Sequence, residues 1–279
     1  MNLQESPNSV TFASRIKVTD MEDLLRRYDP ITLDEMSGVK LLNRTDTKFV
    51  TNVPTLMRLL EMASDEYYAQ DIDGARIAPY YTVYFDTDDC AMYHCHEAGH
   101  ANRQKLRVRS YVDSDLHFIE VKTKNNHGRT KKKRMTMGGF DALHPDHSIR
   151  FERQDEQFVA YDEFLRTHLR YAPELMTEQI ENRFDRITLV NKGKTERLTI
   201  DTHLRFHNIA TGIDRDMGNI VIIELKRDGL QPSPITGKLL QLRIFPHGFS
   251  KYVIGSALTN SGLRHNRIKP RLRSIEKKV

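Results

Sequence analysis

The chain has 279 residues, of which 29% are charged and 38% hydrophobic, and its formal net charge is +5. These values are typical of a globular protein with room for one large or two small domains, and the mild basic excess favours an anionic partner without identifying it. The absence of a long apolar run and of a secretory signal pattern excludes a membrane span and predicts a cytoplasmic protein.

The N-terminal quarter begins with polar sequence and then acquires periodicity. Residues 1–18 are polar and aperiodic, which predicts a loose tail, and residues 20–28 have the spacing of a short amphipathic helix. The stretch NRTDTKF that follows has the alternation of a strand. Arg44, Asp46 and Lys48 would share one face of this strand, so its polar side chains gather on one side.

A helix, an aromatic strand and a Cys/His segment come next. Pro54 favours a helix start, with apolar spacing up to residue 63, and residues 78–85 (APYYTVYF) are rich in strand-forming side chains. The segment CAMYHCHEAGH holds both cysteines, Cys90 and Cys95, which are too few for a disulfide scaffold. Residues four apart on a helix, such as Cys90 and His94, could bind one zinc ion, but the zinc motif CxxC is absent from the sequence. We therefore interpret the segment as a polar helix surface.

Residues 103–124 (RQKLRVRSYVDSDLHFIEVKTK) carry the most chemical information. They predict two strands joined by a turn, and alternation places Lys105, Arg107 and Arg109 on one face of the first strand. The matching face of the second strand carries Glu120, Lys122 and Lys124. Aligned cations repel one another unless an anion such as phosphate lies among them. The alternative is an ordinary solvated strand face.

The basic run RTKKKRMTM at residues 129–137 allows two interpretations. It could be another strand, or a solvated loop that binds polyanions without specificity. Residues 155–169 have helical spacing of Phe158, Tyr161 and Leu165, and Pro173 follows the end of that helix.

The second half repeats the pattern of ionic strand faces. Each of three predicted strands places polar side chains on one face. The three sets are Gln179, Glu181 and Arg183; Arg197, Thr199, Asp201 and His203; and Glu224 and Lys226. Two helices, near residues 235–242 and 248–258, follow these strands. Residues 263–279 are basic and predict a mobile C-terminal tail.

A closed antiparallel barrel accounts for six or more strands with an ionic face opposite an apolar face. Its lumen would be polar and basic, and helices would cover the apolar exterior, giving an α+β fold. Such a lumen repels itself when empty. A polyanion bound in the lumen would remove this repulsion, and carboxylates could hold a divalent metal ion that bridges its phosphates.

The motifs NRTDTKF, YYTVYFDT, KLRVRSY, FIEVKTK, ENRFDR, RLTIDTHL, VIIELK and SKYVIG together resemble the VTC domain. This domain is the polyphosphate polymerase module of the vacuolar transporter chaperone complex, in the triphosphate tunnel or CYTH-like superfamily. The resemblance implies an eight-stranded tunnel domain, here residues 19–262, that transfers the terminal phosphate of ATP to inorganic polyphosphate with Mn²⁺ or Mg²⁺. The motifs give no indication of a nucleic-acid partner.

The resemblance also implies roles for individual residues. The catalytic and phosphate-clamping positions are Lys48, Arg107, Arg109, Arg183, Arg197 and Lys251. Further substrate-binding positions are Lys105, Lys122, Lys124, Lys131 and Lys226, and the metal ligand is Glu224. Phosphoryl transfer needs positioning and charge neutralisation more than a covalent nucleophile, so none is assigned.

Two other functions remain open at this point. A triphosphatase or polyphosphatase would use the same tunnel with water as the acceptor. The first strand lacks the ExExK motif of triphosphatase relatives, which leaves fewer carboxylates for a two-metal hydrolase and favours the polymerase. The third possibility is a non-catalytic polyanion-binding or RNA-binding barrel, although the chain has no tryptophan and few rings on its ionic faces for stacking on bases.

Overall fold

The structure, a computed structural model, describes residues 18–37, 44–126, 129–138, 156–229 and 231–278. The predicted N-terminal tail therefore lies almost entirely outside the described residues. In the described part of the chain, no helix is long and apolar enough to cross a membrane.

The described residues form one sheet with helices on both of its sides. The strands are β1 (Asp29–Ile31), β2 (Arg44–Asn52), β3 (Tyr67–Gln70), β4 (Ala78–Asp86), β5 (Arg103–Tyr111), β6 (Leu116–Lys124), β7 (Thr130–Met137), β8 (Thr177–Asn191), β9 (Glu196–Asn208), β10 (Asp214–Asp216) and β11 (Ile220–Asp228). The helices are α1 (Val18–Leu25), α2 (Leu33–Ser37), α3 (Val53–Ala63), α4 (Ala91–Glu97), α5 (Glu156–His168), α6 (Pro234–Gln241), α7 (Lys251–Thr259) and α8 (Lys269–Glu276). The basic run at 129–137 is thus a strand, β7.

Eight strands form an antiparallel path in the order β2, β11, β9, β8, β4, β5, β6, β7. Among the described residues, β2 and β7 are the two ends of this path and do not pair with each other. The prediction of a closed barrel is therefore wrong, and the sheet is an open half-barrel. Four consecutive basic residues, 131–134, lie on β7, and such charge keeps an edge strand solvated rather than paired.

The half-barrel curls strongly enough to bring distant strands together. Lys48 on β2 and Lys122 on β6 stand near opposite ends of the strand path, yet both line one cavity of about 500 Å³. This cavity lies on the concave side of the sheet. The alternation of side chains along each strand therefore decides which residues can reach it.

The convex face of the sheet is apolar, as predicted, and helices cover it. Leu56 and Leu60 of α3 belong to one core cluster with Ile187, Ile200 and Ile223 from the central strands. Helix α5 covers the other half of the face, where its Tyr161 and Leu165, and Leu169 just after the helix, join the cluster that contains Val83, Val108 and Ile119. Burial of each large aliphatic side chain contributes about 1.5–3 kcal/mol.

One end of the concave side is also apolar, which differs from the predicted polar lumen with all helices outside. Phe184, Phe206 and Ile222 face this end and share a cluster with Tyr93 of α4 and Tyr252 of α7. These strand residues are apolar on the face opposite the convex core, so they need a second cover, and α4, α7 and α8 provide it.

The predicted mobile C-terminal tail is wrong for residues 269–276. They form α8, in which Leu272 and Ile275 are buried and belong, with Ile268, to the concave apolar cluster. These three residues recur at helical spacing within a basic stretch, so the helix has an apolar side that holds it against the domain.

Candidate functional site

Alternation along β5 carries three cations to the concave face. Arg107 lies opposite Tyr84 of β4 and Glu120 of β6, while Leu106 and Val108 enter the convex core. Lys105 and Arg109 share the side of Arg107, so the predicted ionic face of this hairpin is confirmed. It points into the half-barrel.

Lys48, Lys105 and Lys122 form a lysine cluster that lines the cavity from three different strands. Lys48 Nζ donates to the carbonyl oxygen of Phe249 at 3.1 Å, and Lys105 Nζ donates to Ser250 Oγ at 2.9 Å. Burial, followed by the charges of Lys48 and Lys122, holds the pKa of Lys105 well below its ordinary value. Desolvation and then Lys48 lower the pKa of Lys122 to about 8. An anion in the cavity would relieve this repulsion.

Glu120 is the carboxylate that organises the centre of the concave face. Arg107 Nε donates to Glu120 Oε2 at 2.6 Å, and Lys132 Nζ of β7 donates to Glu120 Oε1 at 2.9 Å. Burial alone would raise the pKa of Glu120, but Arg107, Arg109 and Lys132 outweigh it and hold that pKa below the ordinary value. Arg107 is therefore partly engaged by a buried anion.

Arg109 differs from Arg107 because part of its donor capacity is unused. Its Nε is buried and has no hydrogen-bond partner among the described residues. The guanidinium lies 5.7 Å from the centre of the Tyr80 ring. Burial and then the charges of Arg107 and Arg186 lower the pKa of Arg109. A buried donor without an acceptor is costly, so this position favours an oxygen-rich ligand.

A second buried ion cluster joins Arg186, Asp201 and Lys251. Arg186 Nε and Nη2 donate to Asp201 Oδ1 and Oδ2 at 2.6 and 2.9 Å, and Lys251 Nζ donates to Oδ2. The Lys251 ammonium also lies 3.1 Å from the centre of the Phe184 ring. Sequence reasoning missed Arg186, although Ile187 and Leu189 on the opposite face indicate that residue 186 points away from the convex core.

Two predicted site residues lie away from the concave face. Arg183 is exposed, and its guanidinium sits 4.8 Å from the centre of the ring of Tyr81, a residue of the convex core. Its assignment to the lumen is corrected because Phe184 takes the concave position. Lys131 pairs in register with Thr123, whose hydroxyl accepts a hydrogen bond from Gln104 on the convex side.

The remaining charged positions meet near the open edge of the sheet. Glu224 Oε2 lies 3.0 Å from Lys226 Nζ, and in the strand register Glu224 is opposite Lys48 while Lys226 is opposite Asp46 and Arg197. Burial alone would raise the pKa of Glu224, but Lys48, Lys226 and Lys122 hold it well below the ordinary value. Lys124 lines the cavity together with Asp46 and Lys48.

The chemistry around Glu224 fits a divalent ion that is bound together with phosphate. Glu224 and Asp46 are diagonal neighbours across β11 and β2, and one or two carboxylates plus phosphate oxygens and water are a usual set for Mg²⁺. In the described ranges, no group of three His, Cys, Asp or Glu side chains could hold a metal ion by itself. The Cys/His segment forms α4, whose Met92 and Tyr93 are buried, while Cys90 Sγ contacts Gln179 at 3.8 Å.

The structure thus brings most of the predicted residues together on one concave surface. This surface gathers Lys48, Lys105, Arg107, Arg109, Lys122, Lys124, Arg197, Glu224, Lys226 and Lys251, and it adds Lys132, Arg186 and Asp201. Cations outnumber carboxylates on this surface. Its excess of positive charge therefore suits anionic ligands that are rich in oxygen.

Comparison with known proteins agrees with this geometry at the level of family. The model of a family described as VTC domain matches residues 43–260. No curated protein sequence matches the chain.

Two solved structures are distantly similar to the chain. A candidate adenylyl cyclase from Hippeastrum, described as having a dominant triphosphatase activity, has a TM-score of 0.47 at 12% identity, covering 77% of this chain and 95% of that one. A candidate adenylate cyclase from Vibrio parahaemolyticus has a TM-score of 0.42 at 10% identity, with coverage of 75% and 97%. At these scores and identities, neither supports a conclusion about activity.

Proposed function

The chain belongs to the VTC domain family, and on this premise we propose that it is a polyphosphate polymerase that uses ATP. The observation that carries the proposal is the lysine cluster of Lys48, Lys105 and Lys122. Three ammonium groups from three strands share one cavity, and two of them have lowered pKa values because of burial and mutual repulsion. Such an arrangement favours a strongly anionic ligand, and a phosphate chain supplies that charge.

In the proposed reaction, a terminal oxygen of polyphosphate attacks the γ-phosphorus of ATP. The bond between that phosphorus and the oxygen bridging to the β-phosphate breaks, and ADP leaves as the chain grows by one unit. Arg107 and Arg109 would hold the transferred phosphoryl group, while Lys48 and Lys105 would offset charge on the attacking and leaving oxygens. Preorganised cations of this kind stabilise the transition state without a covalent enzyme intermediate.

The other cations of the concave surface would position the substrates. Arg197, Lys226 and Lys124 lie toward the open edge, where they would bind phosphates that are not reacting. Lys251 stays paired with Asp201, so its proposed role is to shape the apolar end of the site. Lys131 and Arg183 are not part of this proposal, because their positions are outside the concave face.

Glu224, with Asp46 beside it, would hold the Mn²⁺ or Mg²⁺ ion. When bound, the ion would supply positive charge that offsets part of the negative charge of the phosphates. The low pKa of Glu224 keeps its carboxylate ionised and ready to accept a cation. Lys226 would have to release Glu224 when the ion binds.

Hydrolysis by the same site is the second candidate. It would need a water molecule as acceptor and favours several carboxylates for two metal ions. Among the described residues of β2, Asp46 is the only carboxylate, and it lies beside Lys48 on the concave face. This arrangement favours transfer to a phosphate acceptor over transfer to water, and a binding module without turnover remains the third outcome of the test.

The test is to incubate the purified protein with ATP and Mn²⁺ and to separate long polyphosphate chains from orthophosphate. We expect chains, and we expect Glu224→Gln to abolish their formation while metal-free polyanion binding persists. Glu61→Gln, an exposed carboxylate on α3, is the matched control and should leave synthesis intact. Orthophosphate without chains would mean a hydrolase, and neither product would mean a binding module.

A further inference from the structure

The outer rim of the cavity is built by residues that the proposed reaction does not use. Arg103 stands at the start of β5, His96 on α4, His247 in the loop before α7, and Arg271 on α8, and all four line the cavity. They come from four separate elements. Their convergence therefore depends on the tertiary fold.

The C-terminal segment is fixed so that Arg271 reaches this rim. Glu97 is buried at the end of α4, where its Oε1 accepts from the backbone N–H of Arg267 at 2.8 Å. Ile268, Leu272 and Ile275 pack into the concave apolar cluster. These contacts anchor both ends of α8, so its Arg271 side chain is held at a defined place rather than on a mobile tail.

Arg271 lies directly on the loop that accepts hydrogen bonds from the lysine cluster. A Cβ atom added to Gly248 would be 3.5 Å from Arg271 Cζ, so the guanidinium packs over the backbone of this loop. The following residues, Phe249 and Ser250, accept hydrogen bonds from Lys48 and Lys105. The rim is therefore continuous with the lysine cluster, yet Arg271 itself remains exposed at the mouth of the cavity.

The rim has unmet capacity for an anion. In the described part of the chain, His96 Nδ1 and His247 Nδ1 are buried and have no hydrogen-bond partner. Asp46 is the one carboxylate among the residues that line the cavity. Burial, followed by the charges of Lys105, Arg103 and Arg271, holds the pKa of His96 far below its ordinary value.

We propose that Arg103, Arg271, His96 and His247 form a second phosphate subsite, which binds the part of an inorganic phosphate chain that extends beyond the lysine cluster. This inference rests on the proposed function and adds to it a residue, Arg271, from a helix that follows the matched family region of residues 43–260. The cavity of about 500 Å³ has the size of a typical ligand site. Long chains would occupy both subsites, and tripolyphosphate would occupy only the lysine cluster.

The experiment compares metal-free binding of tripolyphosphate and of long-chain polyphosphate by calorimetry. Arg271→Ala should weaken long-chain binding about tenfold, the loss expected for one charge-assisted contact, and leave tripolyphosphate binding within about twofold of wild type. Arg273→Ala removes an exposed cation from the same helix that does not line the cavity, so it should change neither affinity. Arg271→Lys should retain most of the long-chain affinity, and thermal unfolding of each variant tests that α8 stays folded.

The outcomes separate this inference from the proposed function. If wild type binds both ligands and Arg271→Ala behaves like Arg273→Ala, the second subsite is wrong while the polymerase proposal stands. Equal losses for both ligands would also overturn it, because Arg271 would then act on the phosphates at the lysine cluster. If wild type binds neither ligand, the proposed function fails and this inference fails with it.

Discussion

Arg186 and Asp201 lie opposite each other on β8 and β9 and form a two-point ion pair on the concave face, with distances of 2.6 and 2.9 Å. Burial alone would raise the pKa of Asp201, but Arg186 and Lys251 hold it well below its ordinary value. The ordinary pKa of an aspartate is 3.8, and a lowered pKa in the folded protein means that the ionised carboxylate stabilises the fold at pH values above 3.8. This contribution is lost as the pH falls below 3.8 toward the folded-state pKa. The pair is thus a structural support directly beside the proposed phosphate site.

Arg186→Ala should destabilise the protein far more than Arg183→Ala. Removing Arg186 leaves the buried Asp201 with Lys251 alone, and breaking such a pair costs about 3–5 kcal/mol. Arg183 is exposed against the ring of Tyr81, a contact that contributes less than about 1 kcal/mol. Urea unfolding of the two variants provides the comparison. Similar losses for both would contradict the placement of Arg183 on the convex side.

Arg107→Met and Arg109→Met should separate stability from ligand binding. Loss of Arg107 removes one of the two side chains that donate hydrogen bonds to the buried Glu120, so the free energy of unfolding should fall by about 3 kcal/mol. Arg109→Met should instead weaken tripolyphosphate binding by about tenfold or more, because an unused buried donor is removed. Chemical unfolding and calorimetric titration measure the two effects.

The double variant Arg107→Met/Glu120→Gln is the control for this experiment. It removes the buried charge that Arg107 leaves behind and should recover part of the lost stability. Unchanged tripolyphosphate affinity in Arg109→Met would place Arg109 outside the binding surface.

Polyphosphate binding should take up protons at about pH 8.5, near the pKa of Lys122. In the free protein this pKa is lowered to about 8, so part of the Lys122 population is neutral there, and bound phosphate favours the charged form. Because the folded-state pKa is below the unfolded value, protonation of Lys122 below about pH 8 opposes folding, and stability from this group rises with pH between about 8 and 10.5.

Titrations in buffers with different ionisation enthalpies measure this uptake. Lys122→Arg keeps the charge at all pH values in this range and should reduce the number of protons taken up per ligand. The same uptake in Lys122→Arg as in wild type would assign the protons to another group.

Gly255→Ala should destabilise the protein, whereas Gly237→Ala should not. A Cβ atom at Gly255 of α7 would lie 2.5 Å from Phe206 Cδ1 and 2.9 Å from Ile180 Cδ1, and overpacking of this kind costs about 1–3 kcal/mol. Gly237 of α6 has nothing within 4 Å of the added atom, so alanine there should stabilise the helix by about 0.5–1 kcal/mol. Thermal unfolding gives both values, and stability retained in Gly255→Ala would mean that α7 can move away from the sheet.

The sequence by itself determined the ionic strand faces. Residues 105–109 of β5, 119–122 of β6 and 223–226 of β11 alternate between apolar and charged side chains, and a period of two places every second residue on the same side of a strand. This alternation alone places Lys105, Lys122 and Glu224 on ionic faces, whatever the pairing of the strands. The motifs that resemble the VTC domain gave the family for the same reason, since they are local patterns in chain order.

Only the tertiary structure decided which cations lie close together, and whether the edge strands β2 and β7 pair to close the barrel. The choice between Arg183 and Arg186, or between Lys131 and Lys132, depends on strand register, and a shift of one residue moves a side chain to the other face. Pairing of edge strands β2 and β7 depends on curvature over the whole sheet, so local alternation could not show that the barrel is open. Arg271 joins the cavity only because Leu272 and Ile275 bury α8 against strands far away in sequence. The helical spacing of these residues marks an apolar side, but it does not show where that side packs.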